Sequence, residues 1–212
     1  MSRKVAIYGG SFNPIHIGHT SIAEAILRKG VVDEVWIMVS PLNPLKTDSG
    51  NEILPTDQRL EMARLATNGI KGLEVSDFES RLPVPSYTVK TLSALHQAYP
   101  DNSFMLIVGG DNWRRFSRWY KAEEIKSSHD IIVYDRRDVK RGVKSGSLAK
   151  VTLFRSDGVS VELSSGEIKF PLYDVSSTDI RNALKNNDMD YAGKWLHPDV
   201  FKYIRANHLY AG

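Results

Sequence analysis

Cysteine is absent from the 212 residues, which excludes both a disulfide framework and a zinc site built on thiolates. The chain also has no run that approaches the roughly 18 apolar residues of a membrane-spanning helix. Its first apolar run is too short for a signal peptide. Neither sign of charge dominates, because 28 Lys and Arg stand against 25 Asp and Glu. We therefore expect a cytoplasmic protein without a membrane partner.

The remaining composition is that of an ordinary globular protein. Hydrophobic residues make up 42% and charged residues 25% of the chain, and its length suffices for one sizeable core. The net charge of +3 and the isoelectric point near 9.0 suit a polyanionic small molecule as well as nucleic acid. We predict a single domain over residues 1–212, with 177–212 as its helical C-terminal part.

Short runs of Val, Ile and Leu without polar alternation predict parallel strands that are buried on both faces. These runs cover residues 5–8, 35–39, 104–108 and 131–134. Helical patterns lie between them, for example at 56–68, where Thr56 is placed to cap the helix and Gly69 to end it. We predict an α/β fold, a Rossmann-like open parallel sheet with helices on both faces.

Two further features precede the C-terminal part. Residues 136–150 are rich in Gly, Ser, Lys and Arg, which favours a solvated surface loop. Strand-like runs follow at 151–154 and 161–163.

A loop rich in glycine follows the first predicted strand. Gly9, Gly10 and Gly18 let the backbone approach a ligand, and the helix that begins there offers N–H groups to an anion. His16 and His19 are three residues apart, so both rings project from one side of the first helical turn. Such imidazoles can donate hydrogen bonds to phosphate oxygens. A tight turn in which one histidine caps the helix is the alternative interpretation.

A second candidate phosphate-binding segment lies in the C-terminal part. Ser176 and Asp179 have the spacing of a capping box at the start of a helix. Ser177 and Thr178 then fall in the first turn, where hydroxyl and N–H groups can meet an anion. Arg181 lies one turn later on the same face, and its guanidinium can hold phosphate oxygens. A plain capped helix with a surface arginine is the alternative.

Together the two segments resemble the paired signatures of the nucleotidylyltransferase superfamily. The first reads G-x-F-x-P-x-H-x-G-H over residues 10–19, and the second resembles I-S-S-T-x-I/V-R, with Val175 in place of Ile. Members of this superfamily couple a nucleoside triphosphate to a second phosphate compound. The resemblance implies that the histidines contact the triphosphate and that the second signature binds its β- and γ-phosphates.

Three further segments resemble nicotinate-nucleotide adenylyltransferases within that superfamily. Residues 83–92 are similar to G-P-S-Y-T-x-D-T-L, and 106–119 are similar to I-x-G-x-D-x-x-x-x-F-x-x-W. The closing segment, 200–210, is similar to V-x-x-Y-I-x-x-x-x-L-Y. The resemblance therefore spans essentially the whole chain.

The resemblance implies a role for each matching residue. The catalytic residues would be His16, His19, Lys46 and Arg181. Contacts to ATP would come from Gly9, Gly10, Ser11, Phe12, Gly18, Gly109, Asp111, Ser177 and Thr178. Contacts to nicotinate mononucleotide would come from Ser86, Tyr87, Thr88, Trp119 and Arg136. Mg²⁺ is the expected cofactor, bound mainly through the ATP phosphates, with no metal ligand from the protein.

Four residues depart from the family pattern. Val84 and Lys90 replace the usual Gly and Asp of the G-P-S-Y-T-x-D segment. Ser40 and Leu45 replace the frequent Asn and His of the P-x-x-x-P-P-H-K segment. The departures at Ser40 and Leu45 leave open the contacts that this loop makes on the nicotinate side. The aromatic residue Phe116 is interpreted as part of the core.

The expected reaction is transfer of AMP from ATP to nicotinate mononucleotide by direct in-line displacement, which gives deamido-NAD and pyrophosphate. The alternative acceptors are nicotinamide mononucleotide and phosphopantetheine. A different class of function is nucleic-acid binding through 136–150, and a third is a nucleotide sensor without catalysis. The sequence leaves open whether the chain forms a homo-oligomer.

Overall fold

The computed structural model describes residues 2–41, 53–135, 148–165 and 167–211. Within these ranges seven strands form one sheet in the order β3-β2-β1-β4-β5-β6-β7. The strands are β1 (Arg3–Gly10), β2 (Glu34–Val39), β3 (Leu73–Ser76), β4 (Asn102–Gly109), β5 (Ile131–Asp135), β6 (Lys150–Phe154) and β7 (Ser160–Glu162).

The first five strands are parallel, and both predicted faces are covered. Ala6 and Tyr8 on β1 belong to one hydrophobic core, whereas Val5 and Ile7 belong to the core on the other face. This alternation explains why the central residues of β1 are apolar on both faces of the sheet. The predicted Rossmann-like α/β fold is confirmed.

The sheet is mixed rather than purely parallel. β6 pairs antiparallel with β5, and β7 pairs antiparallel with β6. The turn between β6 and β7 is short, with Arg155 N–H donating to Val159 O, and so short a connection permits only antiparallel pairing. The predicted runs 151–154 and 161–163 thus form an antiparallel edge on a parallel sheet.

Helices cover the two faces and the C-terminal part. They are α1 (Ile17–Lys29), α2 (Thr56–Thr67), α3 (Thr88–Ala98), α4 (Gly110–Trp113), α5 (Ala122–Ser128), α6 (Ser177–Lys185), α7 (Met189–Trp195) and α8 (Pro198–Ala206), with 3₁₀ turns at Phe78–Arg81 and Phe116–Arg118. Buried residues of α1, α2, α6, α7 and α8 share one core, and those of α3 and α5 share the other. In the described part of the chain no helix is both long and apolar enough to cross a bilayer.

Two boundaries differ from the sequence prediction. Thr56 is the first residue of α2 and not its cap, a position taken by Pro55. Its hydroxyl instead accepts a hydrogen bond from Arg59 Nη2 at 2.9 Å. The predicted loop 136–150 is too long at its end, because Lys150 already pairs with Asp135 in the sheet. Residues 136–147 lie outside the described residues.

A histidine pair predicts a pH dependence of stability. His96 Nε2 and His129 Nε2 lie 3.1 Å apart. Burial lowers the pKa of His129, nearby His96 lowers it further, and Asp130 opposes this only in part. The imidazole of His129 is thus protonated less readily in the folded protein than in the unfolded chain, where the pKa of a histidine is about 6.5. The contribution of neutral His129 to the free energy of unfolding is therefore fully present above the unfolded pKa of about 6.5. It is lost as the pH falls below that value.

We expect the free energy of unfolding of the wild type to fall more steeply than that of His129→Gln between about pH 7.5 and pH 5.5. Urea titrations at each pH measure it. His208→Gln, at an exposed position, is the control and should keep the wild-type slope. Equal slopes for wild type and His129→Gln would contradict the prediction.

Candidate active site

One cavity of about 660 Å³ opens at the carboxyl ends of β1 and β4. From β1 the chain order runs outward through β2 to β3, and from β4 it runs outward through β5 in the opposite direction. In open α/β sheets ligands bind at such a switch point. Every predicted site residue that the structure describes lines this cavity: Gly9, Gly10, Ser11, Phe12, His16, Gly18, His19, Ser86, Tyr87, Thr88, Gly109, Asp111, Trp119, Ser177, Thr178 and Arg181. Lys46 and Arg136 lie outside the described residues.

The two glycines after the first apolar run are the last residues of β1 and not part of a loop. A Cβ at Gly10 would lie 3.0 Å from the ring of Phe12, whereas one at Gly9 would meet no heavy atom within 4 Å. Gly10 therefore makes room for a buried aromatic ring, and Gly9 leaves the wall of the cavity open. Phe12 itself has a φ of 45°, a left-handed conformation in which the chain turns sharply away from the strand.

The histidines hold the start of α1 through a reciprocal capping box. His16 Nδ1 accepts from Gly18 N–H at 3.2 Å, and His19 Nδ1 accepts from His16 N–H at 3.2 Å. Their ring centroids are 3.8 Å apart, and His16 is only 3% exposed. Since each Nδ1 faces a donor, each neutral ring carries its proton on Nε2. His16 therefore caps the helix, as the alternative interpretation predicted, and also lines the cavity.

The second signature contacts the first directly. Ser176 and Asp179 form the predicted capping box of α6. Ser177 Oγ donates to Pro14 O at 2.8 Å. Arg181 Nη1 donates to Asn13 O at 2.8 Å. Two segments that are far apart in the sequence thus form one wall of donors.

Arg181 also donates from Nη2 to Thr178 Oγ1 at 3.2 Å. A guanidinium has five N–H donors in a fixed fork, so these contacts orient it and leave further donors for an anion. The hydroxyl of Ser177, in contrast, is already engaged with the loop. Its contribution to an anion site is therefore its backbone N–H at the start of α6.

Two buried side chains to which the sequence assigned no role support the same loop. Arg59 is 1% exposed and donates to Ser11 O at 2.7 Å, to Ser40 O at 2.8 Å and to Leu54 O at 2.8 Å. Tyr210 OH donates to Asn13 Oδ1 at 2.7 Å. Burial lowers the pKa of Arg59 and raises that of Tyr210. Together they hold the segment after β1, Arg59 through the backbone and Tyr210 through the side chain of Asn13.

The opposite end of the cavity is aromatic. The rings of Tyr87 and Tyr120 lie 5.0 Å apart, and Trp119 packs 4.9 Å from Phe116, which is buried in the core as predicted. Among the described residues, Trp119 Nε1 and Ser86 Oγ are buried without a hydrogen-bond partner. Tyr120 was not singled out from the sequence, although it directly follows Trp119. Flat aromatic walls of this kind suit a planar ring.

Charged groups complete the lining. Asp111 lies on α4, is exposed and forms an ion pair with Arg114. Arg115 and Arg118 also line the cavity and are exposed. In the described ranges no group of three or more His, Asp or Glu residues could hold a metal ion. The donors around the two signatures are imidazoles, hydroxyls, N–H groups and a guanidinium, which suits a metal that arrives with a polyphosphate and not one held in a protein cage.

Comparison with known proteins agrees with the geometry. The Cytidylyltransferase-like family model matches residues 7–183. A "Probable nicotinate-nucleotide adenylyltransferase" of Bacteroides thetaiotaomicron is 43% identical over 203 residues, which cover 95% of this chain and 91% of that protein. A protein of the same name in Flavobacterium johnsoniae is 38% identical, with 98% of each chain covered.

A solved structure shows the same fold. The nicotinic acid mononucleotide adenylyltransferase of Plasmodium falciparum, complexed with NaAD, matches with a TM-score of 0.68 at 20% identity and covers 98% of this chain and 97% of that chain. The family match and the relatives above extend over most or all of the sequence. The chain therefore belongs to the cytidylyltransferase-like family, among the nicotinate-nucleotide adenylyltransferases.

Proposed function

We propose that the protein transfers AMP from ATP to nicotinate mononucleotide, and that deamido-NAD and pyrophosphate are the products. The observation that carries this proposal is the contact between the two signatures, Ser177 to Pro14 and Arg181 to Asn13, beside an aromatic end of the same cavity. One end supplies donors for phosphates and the other supplies flat walls for a ring. The names of the relatives support the same substrates.

The acceptor phosphate attacks the α-phosphorus of ATP in line with the leaving pyrophosphate. A phosphate is already ionised at neutral pH, so attack requires no general base. The protein's task is to hold two anions together and to stabilise the charge that develops on the leaving group.

The donors are divided between the two signatures. The Nε2–H groups of His16 and His19 lie on the wall formed by the first signature and would donate to the α-phosphate region. Arg181 and the first turn of α6 would hold the β- and γ-phosphates, and Lys46 would bridge triphosphate oxygens. Mg²⁺, bound through ATP phosphates and water, would neutralise part of their charge.

The acceptor occupies the other end in this proposal. Trp119 and Tyr87 would stack on the pyridine ring, with Ser86 and Thr88 at the same wall, and Arg136 would approach the acceptor phosphate. Asp111 on α4, just after β4, would accept hydrogen bonds from ribose hydroxyls, a task suited to a carboxylate.

The test is product formation from magnesium ATP with nicotinate mononucleotide, nicotinamide mononucleotide and phosphopantetheine in parallel. We expect the adenylylated product and pyrophosphate in equal amounts, with the highest kcat/KM for nicotinate mononucleotide. A higher kcat/KM with another acceptor would overturn the roles of Tyr87, Thr88 and Trp119. ATP binding without any product would instead support a nucleotide sensor.

A further inference from the structure

A buried carboxylate lines the cavity and has no part in the mechanism above. Glu79 lies in the 3₁₀ turn after β3, is 6% exposed and contributes to the cavity wall. Its Oε2 accepts from Ser40 Oγ at 2.6 Å, and its Oε1 accepts from Thr91 Oγ1 at 2.7 Å. Both oxygens thus accept short hydrogen bonds, which is typical of an ionised carboxylate.

In the described part of the chain, Glu79 is a buried carboxylate without an ion-pair partner. No Lys, Arg or His side chain there forms an ion pair with it, and its two hydrogen-bond partners are neutral hydroxyls. Burial without an ion pair keeps the field of a charge strong, because water and salt screen it poorly. Asp111, the other acidic residue of the described lining, is exposed, so a buried negative charge in this cavity requires an explanation of its own.

Its position points to the ring of the acceptor. Thr91, which donates to Glu79, lies one helical turn after Thr88 on α3. The carboxylate is therefore hydrogen-bonded to the helix that begins at the aromatic end of the cavity. The pyridine ring of nicotinate mononucleotide is bonded to ribose through nitrogen and carries a fixed positive charge. Aromatic faces attract such a cation, and a buried carboxylate adds to that attraction.

We propose that Glu79 determines specificity by favouring a positively charged pyridinium ring over a neutral ring of the same shape. This inference rests on the proposed function and deepens it. Arg115 and Arg118 line the same cavity but are exposed, so solvent screens their charges more strongly. Their guanidinium groups suit the carboxylate and phosphate of the acceptor, whereas Glu79 acts on the ring.

The test compares nicotinate mononucleotide with its 1,4-dihydropyridine form, which keeps the carboxylate, ribose and phosphate but has a neutral ring. Dissociation constants for both ligands are measured by calorimetry at about pH 8, for the wild type and Glu79→Gln. Glutamine has the same shape and can still bond to both hydroxyls, since a hydroxyl both donates and accepts.

We expect the wild type to bind the charged ring about tenfold more tightly than the neutral ring, the size expected for unit charges within about 10 Å at an effective dielectric constant of about 20. Glu79→Gln should lose most of this preference through weaker binding of the charged ring, with unchanged binding of the neutral ring and an unchanged KM for ATP. If Glu79 has a purely structural role, Glu79→Gln should weaken the binding of both ligands equally. That result would overturn the proposal.

One control variant and two measurements on the wild type separate the possible failures. Glu74→Gln, at an exposed position of β3, should keep the wild-type preference. Equal binding of both rings by the wild type would overturn the proposal even if Glu79→Gln failed to fold. If the wild type adenylylates nicotinate mononucleotide but shows no ring preference, only this inference fails. If it neither binds nor adenylylates that acceptor, the proposed function fails as well.

Discussion

Replacement of His19 by alanine should lower kcat by about 10²–10³-fold, the usual cost of losing one preorganised transition-state donor, while the protein stays folded. The reason is the Nε2–H group, which the accepting role of Nδ1 toward His16 N–H assigns to this ring. Initial rates with saturating magnesium ATP and nicotinate mononucleotide measure the effect. Near-normal turnover by the alanine variant would remove His19 from the catalytic residues.

Two further substitutions separate the chemistry of His19 from its contribution to the helix cap. Asparagine can place an oxygen where Nδ1 accepts from His16 N–H, but it offers no donor at the Nε2 position. Glutamine can place an amide N–H near that position instead. We therefore expect His19→Asn to be as stable as the wild type and as slow as the alanine variant, and His19→Gln to recover part of the rate. His208→Gln, outside the cavity, should have wild-type activity.

Arg59→Met should lower the free energy of unfolding by about 3–5 kcal/mol, because each buried carbonyl left without a donor costs about 1–3 kcal/mol. Methionine retains much of the length of the side chain but removes the guanidinium that donates to the carbonyls of Ser11, Ser40 and Leu54. Urea titration measures the loss. Since Ser11 and Ser40 line the cavity, we also expect an increase in KM for ATP in the protein that remains folded.

The matched control is Arg64→Met on the same helix. Arg64 is exposed and forms only a 3.8 Å ion pair with Glu61, so its replacement should change stability by less than about 0.5 kcal/mol. Arg59→Lys keeps the charge but cannot reach three carbonyls at once. Its loss of stability should therefore lie between those of Arg59→Met and Arg64→Met. A stability of Arg59→Met within about 1 kcal/mol of the wild type would show that water replaces the guanidinium at low cost.

The sequence predicted those parts of the molecule that depend on local patterns. Runs of Val, Ile and Leu predicted the first, second, fourth and fifth strands, and the spacing of Ser176 and Asp179 predicted the cap of α6. The prediction at Thr56 was wrong, because its hydroxyl bonds to Arg59 and not to the backbone of the first turn. The preference of threonine for the helix cap is overridden there by the hydrogen bond from Arg59, which lies on the same helix.

The supporting side chains were missed because they act over long separations. Arg59 carries one available signal, since Ala63 and Ala66 follow it at helical spacing and are buried, which puts the arginine on the inward face of α2. Tyr210 is the closing tyrosine of the V-x-x-Y-I-x-x-x-x-L-Y segment, but that pattern does not show its partner Asn13, which lies at the other end of the sequence. The functional roles of the cavity residues stay predictions, to be decided by the experiments above.

The hydrogen bond between Tyr210 and Asn13 joins residues 197 positions apart, and that between Ser177 and Pro14 joins residues 163 positions apart. During synthesis, the segment after β1 therefore leaves the ribosome long before its partners exist. Contacts of such high sequence separation form late and slowly. A nascent chain that ends before α6 carries the parallel strands but not the completed wall of donors, so nucleotide binding begins only once the C-terminal helices have been made.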